Sequence, residues 1–226
     1  MVLICVLSSL FAVGLVCLIG AYLVKNDDCY NVHESLNEEL NGIQKAGEDG
    51  ERKAQKMLFD LLSEGEFLLT NLLIPSQDGS QNEIDCVLVS RKGIFCIEVK
   101  SWLGKIMGGN TDISWRQEYR KHRRQSKLHR NPFKQNEIHC NAIDKLLKHK
   151  YPIFNIILFI NKDKLKYVQS RNSFTRKTFK QGYDLLGNKL SLEDIEKIKT
   201  DLTPFVATTN ELILYKKNIR ERFSDI

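Results

Sequence analysis

No segment of this chain repeats at a fixed period, which excludes solenoids and propellers, whose cores are stacked from self-similar units. Its 13 glycines never gather into a phosphate-cradling loop, so the nucleotide-hydrolysing folds built on that loop are excluded as well. Low-complexity tracts are absent and 42% of the residues are hydrophobic; a disordered chain lacks the apolar surface needed to offset its conformational entropy. The six cysteines show no paired spacing of the kind that holds zinc. They read as small buried hydrophobes in a reducing compartment, with Cys86, Cys96 and Cys140 inside apolar patterns. Charge is missing altogether from residues 1–24.

That uncharged stretch, as a helix rising about 1.5 Å per residue, is long enough to cross a bilayer core of about 30 Å. A cleaved signal peptide is the competing reading. No basic segment precedes the apolar run, the run exceeds the usual core of about 7 to 15 residues, and no small-x-small cleavage site follows. Residues 1–25 are therefore expected to be a transmembrane anchor, and 26–46 a polar connector with a candidate capping box at Ser35 and Glu38. Lys25 is followed by Asp27 and Asp28, and the main basic run begins about 90 residues beyond the anchor, outside the range over which flanking charge sets topology.

The most informative stretch runs from Glu83 to Lys100. Ile84, Cys86 and Leu88 alternate with Asp85, Val87 and Val89; Ile94, Cys96, Glu98 and Lys100 alternate with Phe95, Ile97 and Val99. Both segments read as strands, joined by Ser90-Arg-Lys-Gly93 as a hairpin turn. If Val89 pairs with Ile94, Asp85 falls opposite Glu98, with Lys100 two residues further along the same face. Cys86 and Cys96 then point to opposite faces. Two carboxylates in apolar surroundings are costly unless compensated, and a shared divalent cation is the usual compensation.

Asp85 followed by Glu98-Val99-Lys100 resembles the Asp…(Asp/Glu)-x-Lys site of the restriction-endonuclease-like nucleases. More closely, residues from about Gly47 to Asn161 resemble the nuclease-related domain family. The matching pieces are Gly47-Glu-Asp-Gly50-Glu51, Asn82-Glu-Ile-Asp85, Gly93 through Lys100 and on to Gly104-Lys-Ile106, Trp115, and Asn131-Pro-Phe-Lys-Gln135. Cys86 stands where the family often carries His. The resemblance implies an α/β/α sandwich around a mixed sheet and metal-dependent hydrolysis of a phosphodiester, DNA being expected over RNA. It implies Mg²⁺ or Mn²⁺ held by Asp85, Glu98, the carbonyl of Val99 and Glu51, with Lys100 beside the attacking water and Gln135 positioning. The nuclease-like domain is expected at 47–165, on the cytoplasmic side, with 166–226 as an extension packed on or flanking it.

The residues carry readings of their own. Ala54, Met57, Leu58, Leu61 and Leu62 follow helical spacing, with Gly47, Gly50 and Glu51 on or beside that stripe. The glycines would allow close helix approach, and Glu51 would face the sheet; the plainer reading is an acidic residue favoured by the helix dipole. Asn131 caps a helix with Pro132 at its first position, running through Ile138, Ala142, Ile143, Leu146 and Leu147 with Gln135 on its apolar side. Gln135 is either a core amide bonded to backbone or part of the site. Phe67–Ile74 and Ile153–Ile160 read as strands, and Leu192–Leu202 as an amphipathic helix begun at Ser191.

Arg116, Arg120, Lys121, Arg123, Arg124, Lys127, Arg130 and Lys134 stand against the single Glu118. Such a run suits a phosphate backbone, or else a solvated loop or a patch on anionic lipid. Trp115 and Tyr119 add candidate stacking surfaces. His122, His129 and His139 have no spacing that places them at the site. The reading from another class is a membrane-anchored module that keeps the fold and binds nucleic acid or protein without cutting.

Overall fold

In a computed structural model the described residues are 45–76, 80–119 and 126–224. The expected anchor, all but the end of the connector with its Ser35 to Glu38 box, and Arg120, Lys121, His122, Arg123 and Arg124 lie outside them. Among the described residues no helix is long and apolar enough to cross a membrane. The fold is that of the compact unit Gly47–Ile226.

Helix α1 covers residues 45–59. Strands β1 (Phe67–Pro75), β2 (Gln81–Ser90) and β3 (Gly93–Lys100) form an antiparallel meander. The expected register holds, Val89 opposite Ile94 and Ser90 opposite Gly93, leaving Arg91 and Lys92 as the turn. Gly93 has φ +136°, and a Cβ there would lie 2.7 Å from the Phe154 ring, so the turn needs glycine. Strands β4 (Lys105–Gly109), β5 (Ser114–Glu118) and β6 (Ser126–Arg130) precede helix α2 (Pro132–Leu146) and strand β7 (Ile153–Phe159). After β8 (Val168–Gln169) and β9 (Ser173–Thr175) come helices α3 (Arg176–Asp184), α4 (Leu192–Leu202) and α5 (Thr209–Ser224).

The main sheet has the order β1-β2-β3-β7-β9, with β7 parallel to β3 and β9 parallel to β7. Its two faces follow from the period of two. Val87, Val89, Ile94 and Cys96 pack with Ile143 and Leu147 of α2 and Ile195, Ile198 and Leu202 of α4. Cys86, Leu88, Phe95, Ile97 and Val99 pack with Ala54 and Leu58 of α1 and Phe179 and Tyr183 of α3. This is a mixed sheet with helices on both faces, and the two cysteines do point to opposite cores. Residues beyond 165 supply part of both cores as well as β8 and β9.

A second sheet, β6-β5-β4-β8, was not expected from the basic run. Its inner face buries Trp115 and Ile106 against Ile157 and Phe159, while Arg116, Lys127 and Leu128 stay exposed. Half of each strand faces water, so charge masked the alternation. Trp115 is fully buried, and its Nε1 donates to the Gly109 carbonyl at 2.9 Å. It is core and offers no stacking surface.

Asn131 joins the two layers. Its side-chain oxygen accepts from Phe133 N at 2.9 Å, the cap that the sequence pattern implies. Its Nδ2 donates to the carbonyls of Gly109 (3.1 Å), Asn110 (3.0 Å) and Asp112 (2.7 Å), pinning the β4–β5 turn to the start of α2. Ser191 and Asp194 form the reciprocal cap of α4. Asn131→Ala is expected to cost about 3 kcal/mol, a lost cap plus buried carbonyls left without donors. Ser191→Ala, at an exposed helix start, is expected to cost about 1 kcal/mol. Urea unfolding of the two variants, compared by midpoint at constant slope, checks the difference.

Candidate active site

β3 is buried along its whole length up to Lys100. It continues to pair with β7 through Glu98 opposite Ile157 and Lys100 opposite Phe159, which holds Glu98, Val99 and Lys100 extended. Its pairing with β2 ends earlier, at Cys86 opposite Ile97. On the other side of β2, pairing with β1 skips from Thr70 opposite Cys86 to Leu72 opposite Ile84, and the skipped Asn71 has φ 55°. The sheet therefore opens around Asp85. There the Asp85 Oδ2 takes the place of a strand partner and accepts from Val99 N at 2.8 Å.

Lys100 Nζ donates to Glu98 Oε1, two residues apart on one face of β3. Glu98 is only 3% exposed, and its Oε2 has no hydrogen-bond partner among the described residues. Burial, and then the charge of Glu98, push the Asp85 carboxyl well above the usual carboxylate range, against the pull of Lys100. Burial works to lower the Lys100 pKa, but Glu98 and Asp85 together raise it overall, so the lysine is charged. Two carboxylates, Glu98 buried and Asp85 half-buried, thus share one ammonium.

His139 belongs to this cluster, contrary to the expectation that no histidine does. It is 6% exposed on α2, its Nδ1 lies 3.6 Å from Glu98 Oε2, and neither atom has a hydrogen-bond partner among the described residues. Burial lowers its pKa despite the pull of Glu98, with Lys100 and Arg130 acting in the same direction as burial; the ring is neutral. The inward stripe of α2 is Pro132, Asn136, His139 and Ile143. Ile138, expected on that stripe, is 45% exposed. Gln135 is half-buried, one turn before His139. The amide that ties helix to sheet is its neighbour Asn136, whose Nδ2 donates to the carbonyl of Cys96 (2.9 Å) and to Asn155 Oδ1 (2.8 Å). Polar residues at 132-plus-four and 132-plus-seven positions were the available signal, and the competing apolar stripe hid it.

Glu51 is half-buried on α1, and its carboxyl is raised by burial and by Glu83, Glu48 and Glu98, against the pull of Lys216. Lys216 on α5 pairs with Glu83 Oε1 at 3.3 Å. The glycines of α1 divide. A Cβ on Gly50 would meet Ser101 Cβ at 2.8 Å, so close approach is real there, whereas a Cβ on Gly47 would meet nothing within 4 Å among the described residues. No three His, Cys, Asp or Glu side chains of the described residues lie close enough together to hold an ion by themselves.

Of the basic residues, Arg116 on β5, Lys127 and Arg130 on β6, and Lys134 on α2 are exposed. Lys134 Nζ donates to the Thr111 carbonyl at 3.1 Å. Tyr119 is 38% exposed. His129 stacks on Trp102 with ring centres 4.0 Å apart, and burial, with Lys127 and Lys100, lowers its pKa to about 4.

Because ionised Asp85 is disfavoured in the fold, Asp85→Asn is expected to raise stability at neutral pH by about 1 kcal/mol, or about 2–4 °C in Tm. A raised carboxyl pKa penalises the folded state only once pH rises through the ordinary carboxylate range. Below that range Asp85 is protonated folded and unfolded alike, so the gain should vanish there. Thermal melts of both proteins across acid to neutral pH, with a chelator present, check the sign.

The sequence model of the nuclease-related domain matches residues 46–160, about half the chain. An uncharacterized protein of Bacillus anthracis is 30% identical over 122 residues, which cover 54% of this chain and 56% of that protein; the chain thus matches a little over half the length of this curated relative. No solved structure matches. With Glu51, Asp85, Glu98, Lys100 and the α2 cap all inside the matched span, the chain belongs to the nuclease-related domain family.

Proposed function

We propose that this protein is a divalent-metal-dependent nuclease that hydrolyses phosphodiester bonds of DNA. Residues 1–24 would anchor it in a membrane, with the nuclease domain on the cytoplasmic side. The observation that carries the reading is the group of buried Glu98 with half-buried Asp85 and Lys100 at the opening of the sheet, where Glu98 Oε2 has no hydrogen-bond partner among the described residues. A binding module gains nothing from keeping two mutually repelling carboxylates in its core.

The donor set fits a hard cation. Asp85, Glu98 and the Val99 carbonyl would hold Mg²⁺ or Mn²⁺, ions that commonly take one or two protein carboxylates and keep several waters. A group of three protein ligands is therefore not required, and Glu51 would act through such a water. When bound, the ion supplies Lewis acidity to a phosphate oxygen and lowers the pKa of a water. Lys100, charged and next to Glu98, would stabilise negative charge developing on the phosphorus. Gln135, at the start of α2, would orient the water or the strand. His139 Nδ1, carrying its proton, would donate to Glu98 Oε2 and fix the carboxylate while Lys100 turns to the substrate.

The test uses the full chain in neutral detergent with linear, circular and single-stranded DNA, each with Mg²⁺ or Mn²⁺. Asp85→Ala and Lys100→Ala are expected to lower cleavage by about 10³-fold with DNA binding retained. Cutting that persists in both variants would remove the assigned site. No cutting of any substrate would leave the anchored binding module as the better reading. His139→Ala is expected to raise the metal concentration needed for half-maximal rate about tenfold, and His139→Gln, which keeps a donor, to recover most of that loss.

A further inference from the structure

Lys105 on β4 and Lys162, Lys164 and Lys166 on the segment between β7 and β8 line, with Tyr167, a cavity of about 290 Å³. Four ammonium groups around one concavity repel one another. Lys105 pairs with Glu118 Oε2 at 3.2 Å. Lys162 Nζ donates to the Gly104 carbonyl. Lys164 and Lys166 are exposed, and neither has a carboxylate partner among the described residues. Lys105 and Lys166 both approach the half-exposed Tyr167 ring, at 4.6 and 5.4 Å from its centre, where the ring's negative face offsets part of the repulsion. An anion would offset the rest.

The cavity lies on the edge of the molecule that carries Lys100. Ile160 N donates to the Lys100 carbonyl at 3.1 Å, and Asn161 Nδ2 to the Ser101 carbonyl at 3.1 Å, so the lysine-bearing segment leaves β7 alongside the end of β3. Gly104 follows Lys100 by four residues, a reach of at most about 14 Å. That is on the order of four nucleotide steps of about 3.4 Å along one strand. A strand with a phosphate at Lys100 therefore has the cavity within its reach. A bilayer pressed against the same edge would cover the site instead.

We infer that the cavity lined by Lys105, Lys162, Lys164 and Lys166 is a subsite for the phosphate backbone of the nucleic acid whose scissile bond lies at Lys100. It is separate from the basic residues of β5 and β6, and it rests on the nuclease reading above. Lys164 and Lys166 are the residues to change, since Lys105 and Lys162 also hold the loop.

The test measures affinity of the full chain, in neutral detergent with a chelator, for a short duplex DNA across a series of salt concentrations. Each phosphate contact contributes about 0.9 to the slope of log affinity against log salt. The pair Lys164→Gln and Lys166→Gln should therefore flatten the slope by about 2. The charge-matched pair Lys177→Gln and Lys180→Gln on α3 should leave it unchanged. Equal slopes for the two pairs would overturn the subsite and leave the nuclease reading standing. No DNA binding by the unsubstituted protein even at low salt would overturn both. An unchanged DNA slope with lost sedimentation on anionic phosphatidylglycerol vesicles would overturn the subsite in favour of a lipid contact.

Discussion

The structure depends most on a defect in strand pairing. β2 and β3 are joined through Cys86 and Ile97, and one residue further the backbone partner is replaced by the Asp85 carboxylate on Val99 N. A continuous ladder would leave no room for polar chemistry in a sheet covered on both faces. The opening places two carboxylates and one ammonium where the protein excludes most water. Every charge there counts: burial raises the Asp85 carboxyl, the two carboxylates keep Lys100 protonated against the pull of burial, and together they give an incoming cation a strong attraction.

Everything around the defect holds it open without filling it. β7 keeps Glu98 to Lys100 extended by parallel pairing on the far side. α2 crosses the same face, fixed at one end by Asn131 to the β4–β5 turn and at its middle by Asn136 to the sheet. Between those two amides and Ile143, His139 is brought against Glu98. Both asparagines are fully buried and hydrogen-bonded, which positions the helix more specifically than apolar contact would. The second sheet closes over Phe159 with Trp115, and its outer edges carry the cationic surface.

Much of this was legible beforehand because it is local. The alternation from Ile84 to Lys100 predicts two strands, and Gly93 at the turn sets their register, so the side chains on each face follow. The caps at Asn131 and Ser191 were equally plain, since a cap needs only its own helix start. The β4–β6 meander is hidden in the sequence because its water-facing half carries Arg116 and Arg130, and Lys127 adds an exposed charge to the other face at the edge strand, so that charge density masks the period of two. On α2, Ala142, Ile143, Leu146 and Leu147 reach the core as their spacing implies, Ile138 turns outward, and the polar Asn136 and His139, which hydropathy does not mark, complete the inward face. Trp115, expected at a surface, is buried because Gly108 lets the β4 backbone pass against its ring and the Gly109 carbonyl accepts its N–H.

By itself, then, the sequence determined the hairpin, its register, the face shared by Asp85, Glu98 and Lys100, and the helix starts. All of these are set by backbone period and by residues a few positions apart. Only the tertiary structure decided which groups meet Glu98 from elsewhere in the chain. His139 arrives through the orientation of α2, which depends on buried amide contacts to strands distant in sequence. The lysine cavity arises because the segment after β7 is laid beside the end of β3 by parallel pairing. Such meetings depend on how packed layers share volume, a property of the whole fold that no local spacing encodes.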